Sequence, residues 1–442
     1  MSCVDRLRLA MAAVLASALV ACGGSSSTTT TTGPGGGDGT SVAEAHLDVP
    51  TGDNTTQITV DAGPAGGFAL GAVNVPYVTV TVCTPGSASQ CATIDHVFLD
   101  TGSIGLRLLG SKVAGLALPA VAVPADAASA TPAGAALECY PFVLGAVWGP
   151  LASADLQIAG ERAASLPVQV IDDAATPAHA APADCVAASN GQLMNSAASL
   201  QANGILGVGM LAFDCGLACA NGDYSSGYTL YYSCTTACVP AALPAPMQVH
   251  NPVTYFATDN NGTLIALPKL PAFGAGIATG RLVFGIGTQA NNQLPSTATV
   301  VHVDANPADA AYLYFTTTVA ANSYPDSYID SGSNAYFFDD SGVARGCQNI
   351  TGGASSWYCP ATLLQRAAVV SDTAGASVSV AYQVTNADAL FGTSSLALDD
   401  LAGSISSGSP SFVWGLPFFY GRTVYTSIWG QALSADGPWN AF

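Results

Sequence analysis

One hexapeptide pattern occurs twice. Phe98-Leu99-Asp100-Thr101-Gly102-Ser103 returns as Tyr328-Ile329-Asp330-Ser331-Gly332-Ser333. Each copy runs aromatic, aliphatic, aspartate, hydroxyl, glycine, serine. Each is followed at long range by two apolar residues and a glycine, Ile205-Leu206-Gly207 after the first and Val413-Trp414-Gly415 after the second. Such a repeat implies duplication, with one aspartate in each half. A strand that runs into Asp, a hydroxyl residue and Gly ends in a tight turn with the carboxylate at its tip, because glycine tolerates the backbone angles required. Where two such turns meet across a pseudo-twofold axis, the hydroxyls of Thr101 and Ser331 can bond the opposing loop. Ser103 and Ser333 can bond the outer carboxylate oxygens. Two carboxylates that close cannot both ionise readily, so they share one proton at mildly acidic pH. One can then take a proton from a water while the other protonates a carbonyl.

The remainder reads as β-rich. Glycine (47) and proline (26) are abundant in the 442 residues, while Lys and Glu, usual on helix surfaces, are scarce; only Glu44, Glu138 and Glu161 are glutamates. Half the residues are hydrophobic, which excludes disorder over most of the length. Ten Lys+Arg against 29 Asp+Glu give a net charge of -19, the wrong sign for a phosphate backbone, so nucleic acid is excluded as a main partner. Alternating or short apolar runs predict strands at Gln57–Val60, Tyr77–Val82, Val97–Leu99, Ala154–Ile158, Leu282–Phe284, Tyr328–Ile329 and Phe412–Trp414. Helix signals are confined to Ala197–Gln201 and to Cys359–Val369, where Pro360 stands near the start. The expectation is two successive β-rich units with minor helices.

The N-terminus carries an address. Arg6 and Arg8 precede an apolar run from Leu9 to Val20, and Leu19-Val20-Ala21-Cys22 resembles a bacterial lipobox. Such a signal is cut before the cysteine, which then carries lipid. The stretch that follows, Gly23 to Gly39, is Gly, Ser, Thr and Pro with a single Asp, a flexible tether. The expectation is a signal peptide over residues 1–21, lipid on Cys22 and a tether over residues 22–42. Gly23 after the cysteine, rather than Asp, resembles outer-membrane sorting. This predicts a lipid-anchored protein of the bacterial cell envelope, on the periplasmic face or surface of the outer membrane. No other apolar run approaches the ~20 residues that span a bilayer.

Of the 12 cysteines, setting aside Cys3 and Cys22 leaves ten, an even number in a compartment that permits disulfides. Cys83–Cys91 and Cys347–Cys359 each close a short local loop and are natural pairs. Cys215, Cys219, Cys234 and Cys238 form a cluster with C-x3-C spacing at both ends. Zinc is the competing reading there, and an oxidising compartment favours disulfides.

Together these motifs resemble those of the bilobal, pepsin-like aspartic peptidases. Asp100-Thr101-Gly102-Ser103 and Asp330-Ser331-Gly332-Ser333 look like that family's active loops. Ile205-Leu206-Gly207 and Trp414-Gly415 resemble the supports beneath them. Gly280-Arg281-Leu282-Val283-Phe284-Gly285 resembles the strand entering the inter-lobe sheet, and Phe418-Phe419-Tyr420-Gly421-Arg422-Thr423-Val424-Tyr425 the C-terminal strand pair. The resemblance implies an all-β, two-lobed fold with the active-site cleft between lobes and minor helices, the lobes covering residues 43–288 and 289–442. It implies an endopeptidase that hydrolyses polypeptides with water as nucleophile. Asp100 and Asp330 would be its catalytic dyad, sharing a proton as in that family. Thr101, Gly102, Ser103, Ser331, Gly332 and Ser333 would support the loops. Neither cofactor nor metal is implied, and the expected state is a monomer.

Two features depart from the family. The flap hairpin that covers the dyad should lie between Asp100 and Ile205, and its candidates are Tyr140, Phe142 and Trp148, none in the usual Tyr-Gly context. Seven residues after the first Asp, where the family tends to place Trp, stands Arg107. The plainer reading makes Trp148 hairpin packing and Arg107 a solvated or paired charge. The atypical flap supports an alternative function, a catalytically weak or inactive pepsin-like module that binds a peptide, protein or glycan at the envelope. His46, His96, His179, His250 and His302 lack metal-binding spacing and read as surface or packed. Asp339-Asp340 and Asp399-Asp400 read as solvated loop charge. There is no G-x-S-x-G elbow, Walker loop or G-x-G-x-x-G after a strand.

Overall fold

The computed structural model describes residues 44–46, 51–64, 73–125, 131–174, 177–188, 191–222, 229–306, 309–350, 356–431 and 438–442. The stretches read as signal peptide (residues 1–21) and tether (residues 22–42), with Cys22, lie outside these residues. In the first half, Val78, Val80 and Val82 face inward while Thr79 and Thr81 face out, the period-2 alternation of a half-buried strand. That strand, Pro76–Cys83, pairs antiparallel with Cys91–Asp100 on one side and with Ala146–Ile158 on the other. Ala146–Ile158 turns through Ala159 (φ 54°) into Glu161–Ile171. Glu161–Ile171 runs parallel to Ile104–Leu109, which is antiparallel to Gly204–Val208, itself parallel to Cys91–Asp100. The circuit closes, so these six strands leave no free edge between them. Their inward valines, leucines and isoleucines belong to one buried core.

The second half repeats the central motif in a more open form. Asn322–Ile329 is parallel to Val413–Trp414, which pairs antiparallel with Tyr336–Phe337. In the first half Cys91–Asp100, Gly204–Val208 and Ile104–Leu109 stand in the same relation. Asp309–Val319, Leu364–Ser371 and Ser377–Val384 extend the second sheet outward in a meander. The first sheet continues, through pairing of Thr55–Val60 with Pro76–Cys83, into a layer that joins strands from both ends of the chain. Its order is Thr55–Val60, Ile277–Phe284, Gly262–Ala266, Thr423–Ser427, Trp439–Ala441 and Val300–His302, all antiparallel. The result is an all-β fold in two halves, each built around the same strand motif, with minor helices.

Three sequence expectations need correction. Cys359–Val369 is not helical: Leu364–Ser371 is a strand paired over eight positions with Ser377–Val384. Its composition suits a helix, but alternate exposure along Leu364–Ser371 follows the sheet, and tertiary pairing overrides a weak propensity. Ala197–Leu200 is a helix, capped by the Ser196 side chain. The C-terminal pair does not begin at Phe418. Leu416–Phe418 is a single 3-10 turn with all three residues buried, and the strands are Thr423–Ser427 and Trp439–Ala441. The loop aspartates are not all solvated: Asp340 and Asp400 are buried, and Asp400 accepts a hydrogen bond from Thr385 Oγ1.

Five disulfides join the ten cysteines: Cys83–Cys91, Cys139–Cys185, Cys215–Cys219, Cys234–Cys238 and Cys347–Cys359. The clustered four pair within each C-x3-C unit. Cys139–Cys185 is the long-range bond; it ties the Gly134–Pro141 strand to the Ala183–Ala188 helix.

Candidate active site

Each repeated hexapeptide ends a strand at an aspartate, and the two ends face each other at the junction of the lobes. Ser331 N–H donates to Thr101 Oγ1 (2.9 Å), and Thr101 N–H donates to Ser331 Oγ (3.0 Å). Ser331 Oγ donates in turn to Leu99 O (2.9 Å). These reciprocal bonds span 230 positions of sequence, lie out of water and lock the loop tips together.

The carboxyl groups sit in matching cages. On Asp100, Gly102 N–H donates to Oδ1 (2.8 Å) and Ser103 Oγ to Oδ2 (2.5 Å). On Asp330, Gly332 N–H donates to Oδ1 (2.7 Å) and Ser333 Oγ to Oδ2 (2.6 Å). Asp100 is 5% exposed and Asp330 9%, and each carboxyl reaches the opposing loop: a Cβ on Gly102 would lie 2.6 Å from Asp330 Oδ1, and one on Gly332 would meet Asp100 Oδ1. Burial, then the charge of Asp100, pushes the Asp330 carboxyl up to about 8, against the opposing bonds from Ser333 and Gly332. The two carboxyls therefore titrate as a pair, and the direction of the shift favours one shared proton.

Close approach explains the glycines of the supports. A Cβ on Gly207 would lie 2.6 Å from Ile104 N, and one on Gly415 would lie 2.5 Å from Ser333 O. Each glycine lets its strand press against the residues that follow the active loop. Gly209 N–H then bonds Ser103 O (3.0 Å), and Leu416 N–H bonds Ser333 O (2.7 Å).

Among the flap candidates, Tyr140 and Phe142 close the Gly134–Pro141 arm of a hairpin whose return strand is Ala146–Ile158. Their rings pack 4.9 Å apart. Tyr140 is close enough to Asp100 to feel its charge; burial is the larger influence, and both hold its hydroxyl neutral. Trp148 faces elsewhere. It is buried against Tyr232, and its Nε1 donates to His179 O (2.9 Å). Arg107 is not solvated: it is fully buried, and its Nη2 bonds Glu138 Oε1 (2.7 Å) and Asp214 Oδ2 (3.0 Å).

The sequence reading missed three residues. Glu138 and Asp214 are the partners of Arg107, and only the rarity of glutamate hinted at the first. Asn74 is the third, fully buried and left-handed (φ 57°). Its Nδ2 donates to Asn334 O and to Leu398 O (both 2.8 Å), and its Oδ1 accepts from Leu398 N–H (2.7 Å) and Tyr420 Oη (3.1 Å). Asn334 follows Ser333, so this one side chain clasps the second active loop from the far end of the chain.

Comparison with known proteins gives three findings. A family model described as "Protein of unknown function (DUF3443)" matches residues 50–442. No curated protein matches the chain. Among solved structures, an aspartic proteinase from Irpex lacteus is similar at 14% identity and a TM-score of 0.44, over 88% of this chain and 96% of that one.

Proposed function

This chain belongs to the DUF3443 family, and we propose that it is an aspartic endopeptidase held at the bacterial envelope by lipid on Cys22. One observation carries the reading: two buried carboxyls at facing strand ends whose loops are locked together, each with a serine hydroxyl and a backbone N–H on its oxygens. A water between them is the nucleophile. The pair shares one proton; we assign the acid role to Asp330, which burial and then the charge of Asp100 hold up, so Asp330 protonates the scissile carbonyl while Asp100 takes a proton from the water. The water oxygen bonds to the carbonyl carbon, giving a neutral gem-diol. Asp100 then passes its proton to the peptide nitrogen, the C–N bond breaks, and Asp330 recovers a proton from one of the diol hydroxyls. The dyad ends as it began, with one proton between two carboxyls. Its substrate is a polypeptide, the working form is a monomer, and no cofactor enters the cycle.

The test is cleavage of an unfolded protein and a peptide library between about pH 3 and 8, from the acidic range in which such dyads share a proton up to the value to which Asp330 is held. The expected result is cleavage that pepstatin, a mimic of the tetrahedral intermediate, blocks. Asp100→Asn and Asp330→Asn should abolish it. Absence of cleavage, with peptide still held equally well by Asp100→Asn, would make the cleft a binding module instead. For the anchor, Cys22→Ala should move the protein to the soluble fraction; unchanged membrane association would sink the lipid assignment.

A further inference from the structure

The geometry points to a second carboxyl pair with a positioning role. The buried Arg107–Glu138–Asp214 cluster holds the hairpin that carries Tyr140 against the Asp100 loop, as a neutral unit in which two carboxyls share one proton. This deepens the endopeptidase reading and rests on it.

The cluster joins three elements. Arg107 lies on Ile104–Leu109, which leaves the first active loop, Glu138 lies on the Gly134–Pro141 arm of the hairpin, and Asp214 follows the supporting strand Gly204–Val208. Arg107 Nη1 donates to Ile104 O (2.6 Å), one residue beyond the serine that bonds Asp100. The guanidinium also lies 3.8 Å from the Tyr140 ring centroid, a cation–π contact. A continuous run of contacts thus leads from Asp100 through Ser103, Ile104 and Arg107 to the ring on the hairpin.

Charge balance requires the proton. The side chains of all three residues are fully buried. With both acids ionised, one negative charge would remain uncompensated in a site without water, which is costly. Glu138 Oε2 is buried and takes no hydrogen bond from an N–H or neutral hydroxyl. One proton held by the pair supplies the missing charge, since a single guanidinium faces both carboxyls. Burial, then the charge of Glu138, holds the Asp214 carboxyl well above the carboxylate range. Tyr231 Oη donates to the other Asp214 oxygen (2.6 Å), and burial is the main cause that keeps the Tyr231 and Tyr140 hydroxyls neutral.

Two measurements test this. The first is infrared spectroscopy near neutral pH on chains carrying Asp330→Asn, which removes the dyad's own proton. Glu161 and Asp399, also held up, contribute protonated-carboxyl bands of their own, so the readout is the component that Asp214→Asn and Glu138→Gln should each remove. A protonated-carboxyl spectrum unchanged by both overturns the shared proton. The second is kinetic. The triple change Arg107→Met, Glu138→Gln, Asp214→Asn removes all charge at nearly constant volume, so the fold survives. It should raise KM and lower kcat/KM on the order of 100-fold, the scale of a small misplacement near a reacting centre. It should also alter the response of Trp148 fluorescence to bound pepstatin. A folded triple variant with parental KM, kcat/KM and fluorescence response overturns the positioning role. A parent chain that cleaves nothing defeats the endopeptidase reading, and the infrared measurement then decides the cluster alone.

Discussion

The two active loops share one backbone plan and differ in what stands behind it. Seven residues past Asp100 is Arg107, in its buried charged cluster; seven past Asp330 is Phe337, packed against Trp357 with ring centroids 6.0 Å apart. The second loop rests on aromatic rings throughout. Phe412 and Trp414 lie 4.5 Å apart, Phe338 stacks on Phe412 at 4.7 Å, and Tyr336 meets Trp414 edge-on at 5.7 Å. Duplication therefore preserves what the carboxylate cage needs (a strand end, a hydroxyl, two glycines and a supporting strand) and leaves the backing free to diverge. The divergence has an electrostatic consequence. The first backing buries an arginine and two carboxyls at its centre, whereas the centre of the second is rings, with Tyr336 and Tyr382 held neutral chiefly by burial and the charges of Asp399, Asp400 and Arg422 acting from around Tyr336.

The largest expected effect tests the equivalence of the two aspartates. Asp100→Asn, Asp330→Asn and the double variant should each lose roughly 10²–10⁴-fold in kcat/KM, with the double no worse than either single change. Additive losses would break the shared-proton picture. Next is pH. Because Asp330 is held up to about 8, the basic limb of kcat/KM should fall near pH 8, about tenfold per unit beyond it. Stability should follow the same sign. Asp330 at about 8, Glu161 at about 7 and Asp399 at about 6 bind their protons more tightly folded than unfolded. The stability they contribute is complete below about pH 4 and is lost as pH rises through 6 to 8. Asp155 and Asp372, both lowered, oppose this only as the pH falls to the acid side. Urea midpoints across that range check it.

The contrast between the backings predicts unequal mutational costs. Arg107→Met alone strands a buried carboxylate and should cost about 3–5 kcal/mol by denaturant unfolding. Phe337→Leu trades one apolar shape for another and should cost less than about 1.5 kcal/mol. Between them stands Gly102→Ala, whose Cβ would lie 2.6 Å from Asp330 Oδ1. It should cost about 1–3 kcal/mol from overpacking, with a proportionally larger loss of cleavage because the clash falls on the dyad itself. Similar costs for Arg107→Met and Phe337→Leu would erase the contrast between the two backings.

What was legible in the sequence was local. The two hexapeptides, the alternation of Val78, Val80 and Val82, the Ser196-capped turn and the short Cys83–Cys91 and Cys347–Cys359 loops all depend on residues within a dozen positions of one another. Their signals come from side-chain period and turn chemistry, which a single chain displays directly. Tertiary structure decided what depends on distant partners. Glu138 and Asp214 lie 31 and 107 positions from Arg107, and the barrel must close before they meet it. Cys139 finds Cys185 only once the hairpin has folded down, and Asn74 reaches Leu398 across 324 positions. Leu364–Ser371 became a strand because Ser377–Val384 pairs with it, against its own composition. The same residue types mean a solvated charge or a buried cluster, a helix or a strand, according to neighbours that only the folded chain supplies.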